Sequence, residues 1–355
     1  MVFYLLFLVL TLAYIVYNGN RTLVTKLIIM SFIVIGGLRD NVGSDWTSYY
    51  WSYMNELQMD TFVWNDFRDP LFYYIEHLFT LVFKTPYPFF FTIFCISFLL
   101  KYTAIKYTNR LNIYFALLIY LSGIFLIFDI NGLRQGLAMG ITLYSTKYIL
   151  RKEIVKFVVL ILCSSLIHHS SIVFLFAYLL FQLKIQFNTK QYIWLTFIAI
   201  ASGIIISNSV ADYIGIVLGE DSSNHYSYYT EGDGGYLARV TLFGMSSLRK
   251  YFLWGIILFF TKNDNSDEIR FYKNCMVVSF FLFFLMSHSL EVSYRLSYYY
   301  SMFELILIPI SITSIKYNKT RFLVASITIM FYFYLTFKLV SNPFGKLDIY
   351  ENVLL

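Results

Sequence analysis

The sequence predicts an all-α polytopic membrane protein, and its composition and its pattern of apolar segments lead to this fold class. The mean hydropathy is +0.63, and only 14% of the 355 residues are charged, whereas soluble domains carry about 25% charged residues. Apolar segments near the roughly 20 residues that cross a bilayer recur along the chain. Because no soluble domain, linker or low-complexity tail interrupts them, we expect a single transmembrane domain over residues 1–355.

About twelve of these segments are predicted to be transmembrane helices. They cover residues 2–17, 22–38, 87–106, 111–129, 132–150, 154–168, 170–184, 191–209, 240–261, 271–289, 297–315 and 321–341. The first has neither a basic start nor a small-residue cleavage site, so we expect a retained helix and not a removed signal. The shorter segment 71–83 contains Glu76 and His77. We expect it to be a re-entrant or in-plane helix, because a thirteenth span would invert the loops that follow.

The basic residues predict the orientation of these helices. Alternate loops hold most of the 27 Lys and Arg residues, including Lys101, Lys106 and Arg110, and the positive-inside rule places this set in the cytoplasm. The opposite side then has two long loops, at about 39–70 and 211–239, rich in Tyr, Trp, Asp and Gly. The net charge of +6 therefore comes from basic loops that set the membrane orientation, and it does not indicate nucleic-acid binding.

The sequence predicts neither a cofactor nor a metal. The three cysteines lie in apolar segments without short spacing, which argues against disulfides and zinc sites. Phosphate-binding, dinucleotide-binding, esterase and zinc-protease motifs are absent. The pair Glu231 and Asp233 is only a weak metal pattern in a glycine-rich loop.

Arg134 is the strongest candidate for binding an anion. It lies in the first turn of the segment that opens at Asn131, where the helix dipole disfavours a cation unless an anion such as phosphate is bound beside it. Gly132, Gly136 and Gly140 recur every four residues, so we expect them to allow a neighbouring helix to approach closely.

Other polar residues near the predicted outer face are further candidates. Asp45 and Glu76 compete as the general base, while His168 and His169 lie at a junction where an imidazole is a base, a hydrogen-bond donor or a hinge. Arg295, flanked by tyrosines, is either a phosphate ligand or an interfacial anchor. Arg239 closes the second long loop.

Four short motifs follow one another along the chain: the run from Arg39 to Tyr49, the Asp-Pro-Leu-Phe-Tyr run from Asp69 to Tyr73, the run Gly132 to Ala138, and the run Ile167 to Ser170. Together these motifs resemble the EpsG family of Wzy-type polysaccharide polymerases. They occur in the first half of the chain in the order and at the spacing typical of the family, whereas the second half is similar only in hydropathy and in the late Arg295.

The resemblance implies a GT-C-like helical fold and a multi-pass enzyme of the bacterial inner membrane with its active site facing outward. Such a glycosyltransferase joins undecaprenyl-diphosphate-linked oligosaccharide repeat units during O-antigen, lipopolysaccharide, capsule or exopolysaccharide synthesis, beside a flippase and a chain-length regulator. An O-antigen ligase using the same carrier and a lipid-linked oligosaccharide flippase remain alternatives. The test between them is the product: chain growth, transfer to another acceptor, or movement alone.

The resemblance also implies roles for individual residues. Arg39, Arg134, Arg295 and Arg239 would bind the diphosphate and stabilise its departing charge. Asp45, His169 or Glu76 would accept a proton from the acceptor hydroxyl. Sugar stacking would fall to four aromatic residues, Trp46, Tyr49, Tyr50 and Tyr299.

Overall fold

The computed structural model describes residues 1–17, 21–59, 61–62, 69–108, 110–185, 187–217, 239–264 and 266–353. The chain forms two compact helical units. The first comprises Met1–Ile172 and Ile315–Leu355, and the second comprises Val173–Ser314. The predicted pair Glu231 and Asp233 lies outside the described residues.

The first unit is a bundle of nine α-helices and one short antiparallel ribbon in its described part. The helices are α1 (Val2–Val16), α2 (Thr22–Gly37), α3 (Trp46–Glu56), α4 (Pro70–Thr80), α5 (Tyr87–Tyr107), α6 (Ile113–Tyr120), α7 (Leu133–Leu150), α8 (Ile154–Ile167) and, at the C-terminal end, α15 (Asn318–Val340). Helix α6 continues as a π-helix over Leu121–Asp129. The ribbon joins β1 (Arg39–Asp40) to β2 (Glu351–Asn352).

Helices α5, α6 and α7 form the core of this unit, with α7 packed between α5 and α8. Gly140 explains the close contact between α5 and α7, because a Cβ added there would lie 2.9 Å from the carbonyl oxygen of Ser97. A Cβ added at Gly136 would lie 2.9 Å from the carbonyl oxygen of Phe128 in the π-helix, so Gly136 allows α7 to pack against that element. Any larger residue would push these backbones apart. The expected packing role is thus confirmed at Gly136 and Gly140, whereas Gly132 has no neighbour closer than 3.7 Å.

The second unit contains the remaining described α-helices. They are α9 (Phe176–Gln182), α10 (Thr189–Val217), α11 (Met245–Phe260), α12 (Asp267–Leu285), α13 (Leu290–Ser301) and α14 (Glu304–Thr313). A 3₁₀-helix over His169–Leu175 links α8 to α9 across the boundary between the units. Within the second unit α12 packs against α9, α10 and α13, while α11 packs against α14.

Each predicted apolar segment coincides with a helix or with a pair of consecutive helices, but few of these are long enough alone to span a bilayer. Within the described residues three helices combine the necessary length and hydropathy, Tyr87–Tyr107, Thr189–Ser207 and Asn318–Val340. The consecutive helices α13 and α14 form a fourth candidate span that is bent by 53°. The chain is therefore helical and membrane-like, while the count of twelve and the GT-C-like arrangement remain predictions.

The predicted outer loop 39–70 contains regular structure. Its middle forms α3, which packs against α4. Helix α4 has 11 residues, which at 1.5 Å per residue gives about 16 Å, or half of a hydrocarbon core of about 30 Å. This helix alone is too short to cross a bilayer.

One residue used to predict the topology was placed wrongly. Lys101 does not lie in a loop: it is fully buried within α5, and its Nζ lies 2.7 Å from Oδ1 of Asp129. A buried lysine needs such a carboxylate because an unpaired charge cannot be left in an apolar interior. Lys101 therefore gives no information about which side of the membrane is cytoplasmic.

Candidate functional site

Three helix ends of the first unit bring their polar residues together. Asp69 is the N-cap of α4, whose first residue is Pro70. Arg134 is the second residue of α7, and His168 is the C-cap of α8. Proline suits a first helical position because its missing N–H would have no partner there, so the sequence Asp-Pro fixes where α4 begins and where Asp69 lies.

Asp69 and Arg134 form the centre of this site. Nη1 of Arg134 donates to Oδ2 of Asp69 at 3.0 Å and to the hydroxyl of Tyr73 at 3.2 Å. The rings of Tyr49 and Tyr73 lie 5.9 and 5.6 Å from the guanidinium carbon. The Arg134 side chain is 33% exposed, against 8% for Asp69, so the carboxylate is enclosed while part of the cation remains open to a ligand.

The two histidines contact the same carboxylate. Nδ1 of His169 lies 2.6 Å from Oδ1 of Asp69. The same Oδ1 also accepts the backbone N–H of His169 at 3.1 Å. Nδ1 of His168 lies 3.2 Å from Oδ2. The His169 side chain is 57% exposed and that of His168 is 18% exposed. A carboxylate at Nδ1 holds the proton on that atom, so that Nε2 of neutral His169 is a proton acceptor.

Asp69 is ionised at neutral pH. Burial raises the pKa of its carboxyl, but the hydrogen bond and charge of His168, the charge of Arg134 and the hydrogen bond of His169 together lower this pKa to about 2. Favourable contacts thus outweigh desolvation. The negative charge of Asp69 orients the surrounding cation and imidazoles and does not itself accept a proton near pH 7.

The turn that precedes Arg134 is tied to the Arg39–Tyr50 segment. Oδ1 of Asn131 accepts the Ser44 backbone N–H at 2.7 Å, and its Nδ2 donates to the Leu126 carbonyl at 3.0 Å. Gly43 has φ +100°, and a Cβ there would lie 2.5 Å from Oδ1 of Asn131. Only glycine fits both this backbone angle and the small space, which accounts for the glycine at position 43.

Arg39, a predicted diphosphate ligand, is buried beneath this turn. Its Nη2 donates to the Ile130 carbonyl at 3.1 Å, and its Nη1 donates to that of Gly36. Burial lowers the pKa of Arg39 to about 10, although the charge of Asp129 opposes this shift. The side chain is 1% exposed, so in this conformation Arg39 supports the turn before Arg134 and does not face a ligand.

The C-terminal segment covers the same region, which sequence reasoning did not anticipate. β2 pairs Asn352 with Arg39, and the backbone N–H of Val353 donates to the Leu38 carbonyl at 2.9 Å. The Lys346 carbonyl accepts the Gly43 N–H at 3.1 Å. The C-terminal residues 346–353 are thereby bonded to residues 38–43, the segment that supports the site.

A buried ionic cluster of Lys101 and Asp129 contacts the first turns of α7. Nζ of Lys101 donates to Oδ1 of Asp129, to Oγ of Ser97 and to the Gly136 carbonyl, at 2.7, 2.6 and 2.7 Å. The hydroxyl of Tyr120 donates to Oδ2 of Asp129 at 2.6 Å. Gly136 lies two residues after Arg134, so this cluster fixes the helix turn that positions the guanidinium.

The other predicted residues of the first unit lie at the start of α3, on α3 or on α4. Asp45 is half-buried at the start of α3, where it accepts from Oγ of Ser44 at 3.0 Å. Trp46 and Tyr50 stack on each other with ring centroids 5.0 Å apart. Glu76 is fully buried and accepts from Oγ of Ser52 at 3.0 Å, which ties α4 to α3.

The remaining predicted residues belong to the second unit. Arg295 lies inside α13 and pairs with Glu291 one turn earlier. Tyr299 is fully buried in the same helix. Arg239 is exposed and is the first residue described after position 217.

Sequence reasoning missed the two residues that organise the site. The sequence motifs include Asp69 but give it no role, and the topology prediction counts Lys101 among the loop residues. The Asp-Pro sequence at a helix start was the available signal for Asp69. For Lys101, the signal was a single lysine within an apolar stretch, where an ionisable residue calls for a partner.

Comparison with known proteins gives one family. The model of the EpsG family matches residues 22–350, nearly the whole chain. Among curated proteins and among solved structures nothing matches the chain. The matched range contains all four motifs and every residue of the site around Asp69, and the chain therefore belongs to the EpsG family, whose members are Wzy-like polymerases.

Proposed function

We propose that this protein is a surface-polysaccharide polymerase that joins oligosaccharide repeat units carried on undecaprenyl diphosphate, on the outer face of the bacterial inner membrane. The observation that supports the proposal is the Asp69 carboxylate, which orients the partly exposed Arg134 with one oxygen and the exposed His169 with the other. A cation and a base held by one buried carboxylate are the two groups that glycosyl transfer from a diphosphate needs.

The proposed reaction is a displacement at the anomeric carbon of the donor. A hydroxyl of the acceptor sugar attacks that carbon, and the bond from carbon to the diphosphate oxygen breaks, leaving the electron pair on undecaprenyl diphosphate. Arg134 stabilises the charge that develops on the leaving group, since a guanidinium stays protonated and binds phosphate oxygens in pairs. Nε2 of His169 takes the proton of the attacking hydroxyl.

The aromatic residues around the cluster suit the sugars of such a substrate. Tyr49 and Tyr73 flank the guanidinium, and the Trp46–Tyr50 stack lies on the same helix as Tyr49. Aromatic faces pack against the apolar faces of sugar rings and exclude water from the leaving group. The predicted role of Arg39 would require it to leave the two carbonyls that it now binds, so we assign it to support of the turn.

The decisive test is chain growth by the purified protein. Lipid-linked repeat units are incubated with the protein in detergent, and the products are separated by length, with Arg134→Gln as the inactive control. A ladder of lengthened products that the variant does not form supports a polymerase. An unchanged length with wild type contradicts it, and transfer to a non-repeat acceptor without lengthening identifies a ligase.

A further inference from the structure

The turn between α7 and α8 is surrounded by basic residues that the site around Asp69 does not use. The basic residues are Lys147, Arg151, Lys152 and Lys156, and the one acidic residue among them is Glu153. Arg134 and Lys147 are 13 positions apart on α7, which at 1.5 Å per residue gives about 20 Å. The α7–α8 turn therefore lies at the opposite end of α7 from the proposed reaction, and its role is independent of the proposed function.

Two lysines from different helices meet at one aromatic ring. Nζ of Lys147, on α7, lies 4.8 Å from the ring centroid of Tyr148, and Nζ of Lys156, on α8, lies 5.7 Å from the same centroid. Nζ of Lys147 also lies 3.5 Å from the ring centroid of Tyr144. Aromatic rings at these distances attract a cation. The tyrosines thus hold two ammonium groups close together although like charges repel each other.

The positive charge of this turn exceeds its negative charge. Oε2 of Glu153 lies 2.5 Å from Nζ of Lys156, and this carboxylate neutralises one lysine. In the described part of the chain, neither Lys147 nor Lys152 has a carboxylate oxygen within 4.0 Å. An anion is therefore the group that would complete the turn.

An apolar stripe on α8 begins beside the lysines. Its members are Val155, Val159, Leu162 and Leu166, which are 72, 51, 48 and 41% exposed. Their spacing places them along one face of the helix. Val155 directly precedes Lys156 and Val159 lies one turn after it, so the stripe and the ammonium group occupy adjoining sides of α8. The long side chain of a lysine at the end of such a stripe reaches the polar surface of a membrane while the stripe contacts hydrocarbon.

We propose that the α7–α8 turn binds an anionic phospholipid, with its phosphate at Lys147, Lys152 and Lys156 and an acyl chain along the apolar stripe of α8. The phosphate supplies the missing negative charge, and the acyl chain covers the exposed valines and leucines. A neutral lipid would leave Lys147 without a counter-charge, and a soluble phosphate would leave the stripe uncovered. Arg151 is not part of this site, because its Nε is bonded to the hydroxyl of Tyr107 on α5 at 3.3 Å.

The general attraction between basic loops and a negative membrane surface is the alternative explanation. That attraction depends on the number of exposed positive charges, whereas a binding site depends on how they are held. Lys184 and Lys190 provide the comparison, because both are exposed and lie at the connection between α9 and α10. The positive-inside rule predicts that they lie on the same side of the membrane as the α7–α8 turn.

The test measures binding of phosphatidylglycerol to the purified full chain in detergent by native mass spectrometry. We expect the double variant Lys147→Gln, Lys156→Gln to weaken binding by about 10-fold or more, since each basic residue contributes about fivefold at an anionic membrane surface. The double variant Lys184→Gln, Lys190→Gln removes the same charge and should keep the affinity within about twofold. Equal losses in the two double variants would refute the proposal.

A change at Glu153 should have the opposite sign. Glu153→Gln releases Lys156 from its carboxylate, so phosphatidylglycerol should bind about fivefold more tightly. A purely structural role of these residues gives no such gain. If the double variant at Lys147 and Lys156 does not fold, unchanged or weaker binding in Glu153→Gln overturns the proposal.

Two ligands separate the parts of the phospholipid on the wild-type protein. Phosphatidylcholine has no net charge, and glycerol phosphate has no acyl chain. Each should bind at least about 10-fold more weakly than phosphatidylglycerol. Equal binding of phosphatidylcholine would remove the lysines from the site, equal binding of glycerol phosphate would remove the apolar stripe, and either result would refute an anionic phospholipid site.

Discussion

Oδ2 of Asp69 and Nη1 of Arg134 lie 3.0 Å apart, although 65 positions separate the two residues in the chain. Asp69 is the N-cap of α4 and Arg134 is the second residue of α7, so each lies where a helix end leaves room for a ligand. The second oxygen of the same carboxylate binds His169. One buried anion thus determines the positions of both groups proposed to act on the substrate.

Replacing Arg134 with Lys should reduce chain growth by about 100-fold, the usual loss when one donor to a developing anion is removed. Lysine keeps the charge but cannot bind Asp69 and two phosphate oxygens with a planar fork. The rate is measured with purified protein, and insertion is checked by its yield in membranes. Arg151→Lys makes the same change at the exposed C-cap of α7 and should retain full activity; equal rates for both variants would remove Arg134 from the site.

His169→Ala and Asp45→Asn should separate the two candidate bases. We expect His169→Ala to lower turnover by about 100-fold or more, as for loss of a general base, because the Asp69 carboxylate orients its ring. Within the described part of the chain, the Asp45 carboxylate accepts a side-chain hydrogen bond only from Ser44, so Asp45→Asn should leave the rate within about twofold. The reverse order of effects would assign the base to Asp45.

Asp69→Asn should abolish most activity while preserving the size of the side chain. The amide no longer balances the Arg134 charge and no longer holds the His169 proton on Nδ1, so turnover should fall by about 100-fold or more. Asp69→Glu, which keeps the charge but moves it, should be intermediate. The measurement is the initial rate of chain growth, and full activity in Asp69→Asn would show that the carboxylate has no part in orienting these groups.

Lys101→Met should destabilise the first unit by about 3–5 kcal/mol, since it leaves the buried Asp129 carboxylate without its cation. The readout is thermal unfolding in detergent together with the yield in membranes. The double variant Lys101→Met, Asp129→Asn should recover part of the loss, because the amide needs no counter-charge. If the single variant were as stable as wild type, the ionic cluster would not support α7.

Gly136→Ala should lower stability by about 1–3 kcal/mol, the usual cost of overpacking. The added Cβ would lie 2.6 Å from Oδ1 of Asp129 and 2.9 Å from the Phe128 carbonyl. Gly255→Ala is the matched control in another helix, because a Cβ there has nothing within 4 Å and alanine favours helix formation. We expect thermal unfolding to show a lower midpoint for Gly136→Ala alone.

The amino-acid sequence by itself determined the helical class, the positions of the apolar segments, the packing role of Gly136 and Gly140, and the family. These follow from local composition, periodicity and short motifs, which a single chain displays directly. The tertiary structure decided which polar residues meet. It joined Asp69 to Arg134 and His169, buried Arg39 and Lys101, and broke the predicted segment 297–315 at Met302 and Phe303. Contacts between residues far apart in the chain depend on how helices pack, and helix packing is not encoded in any one segment.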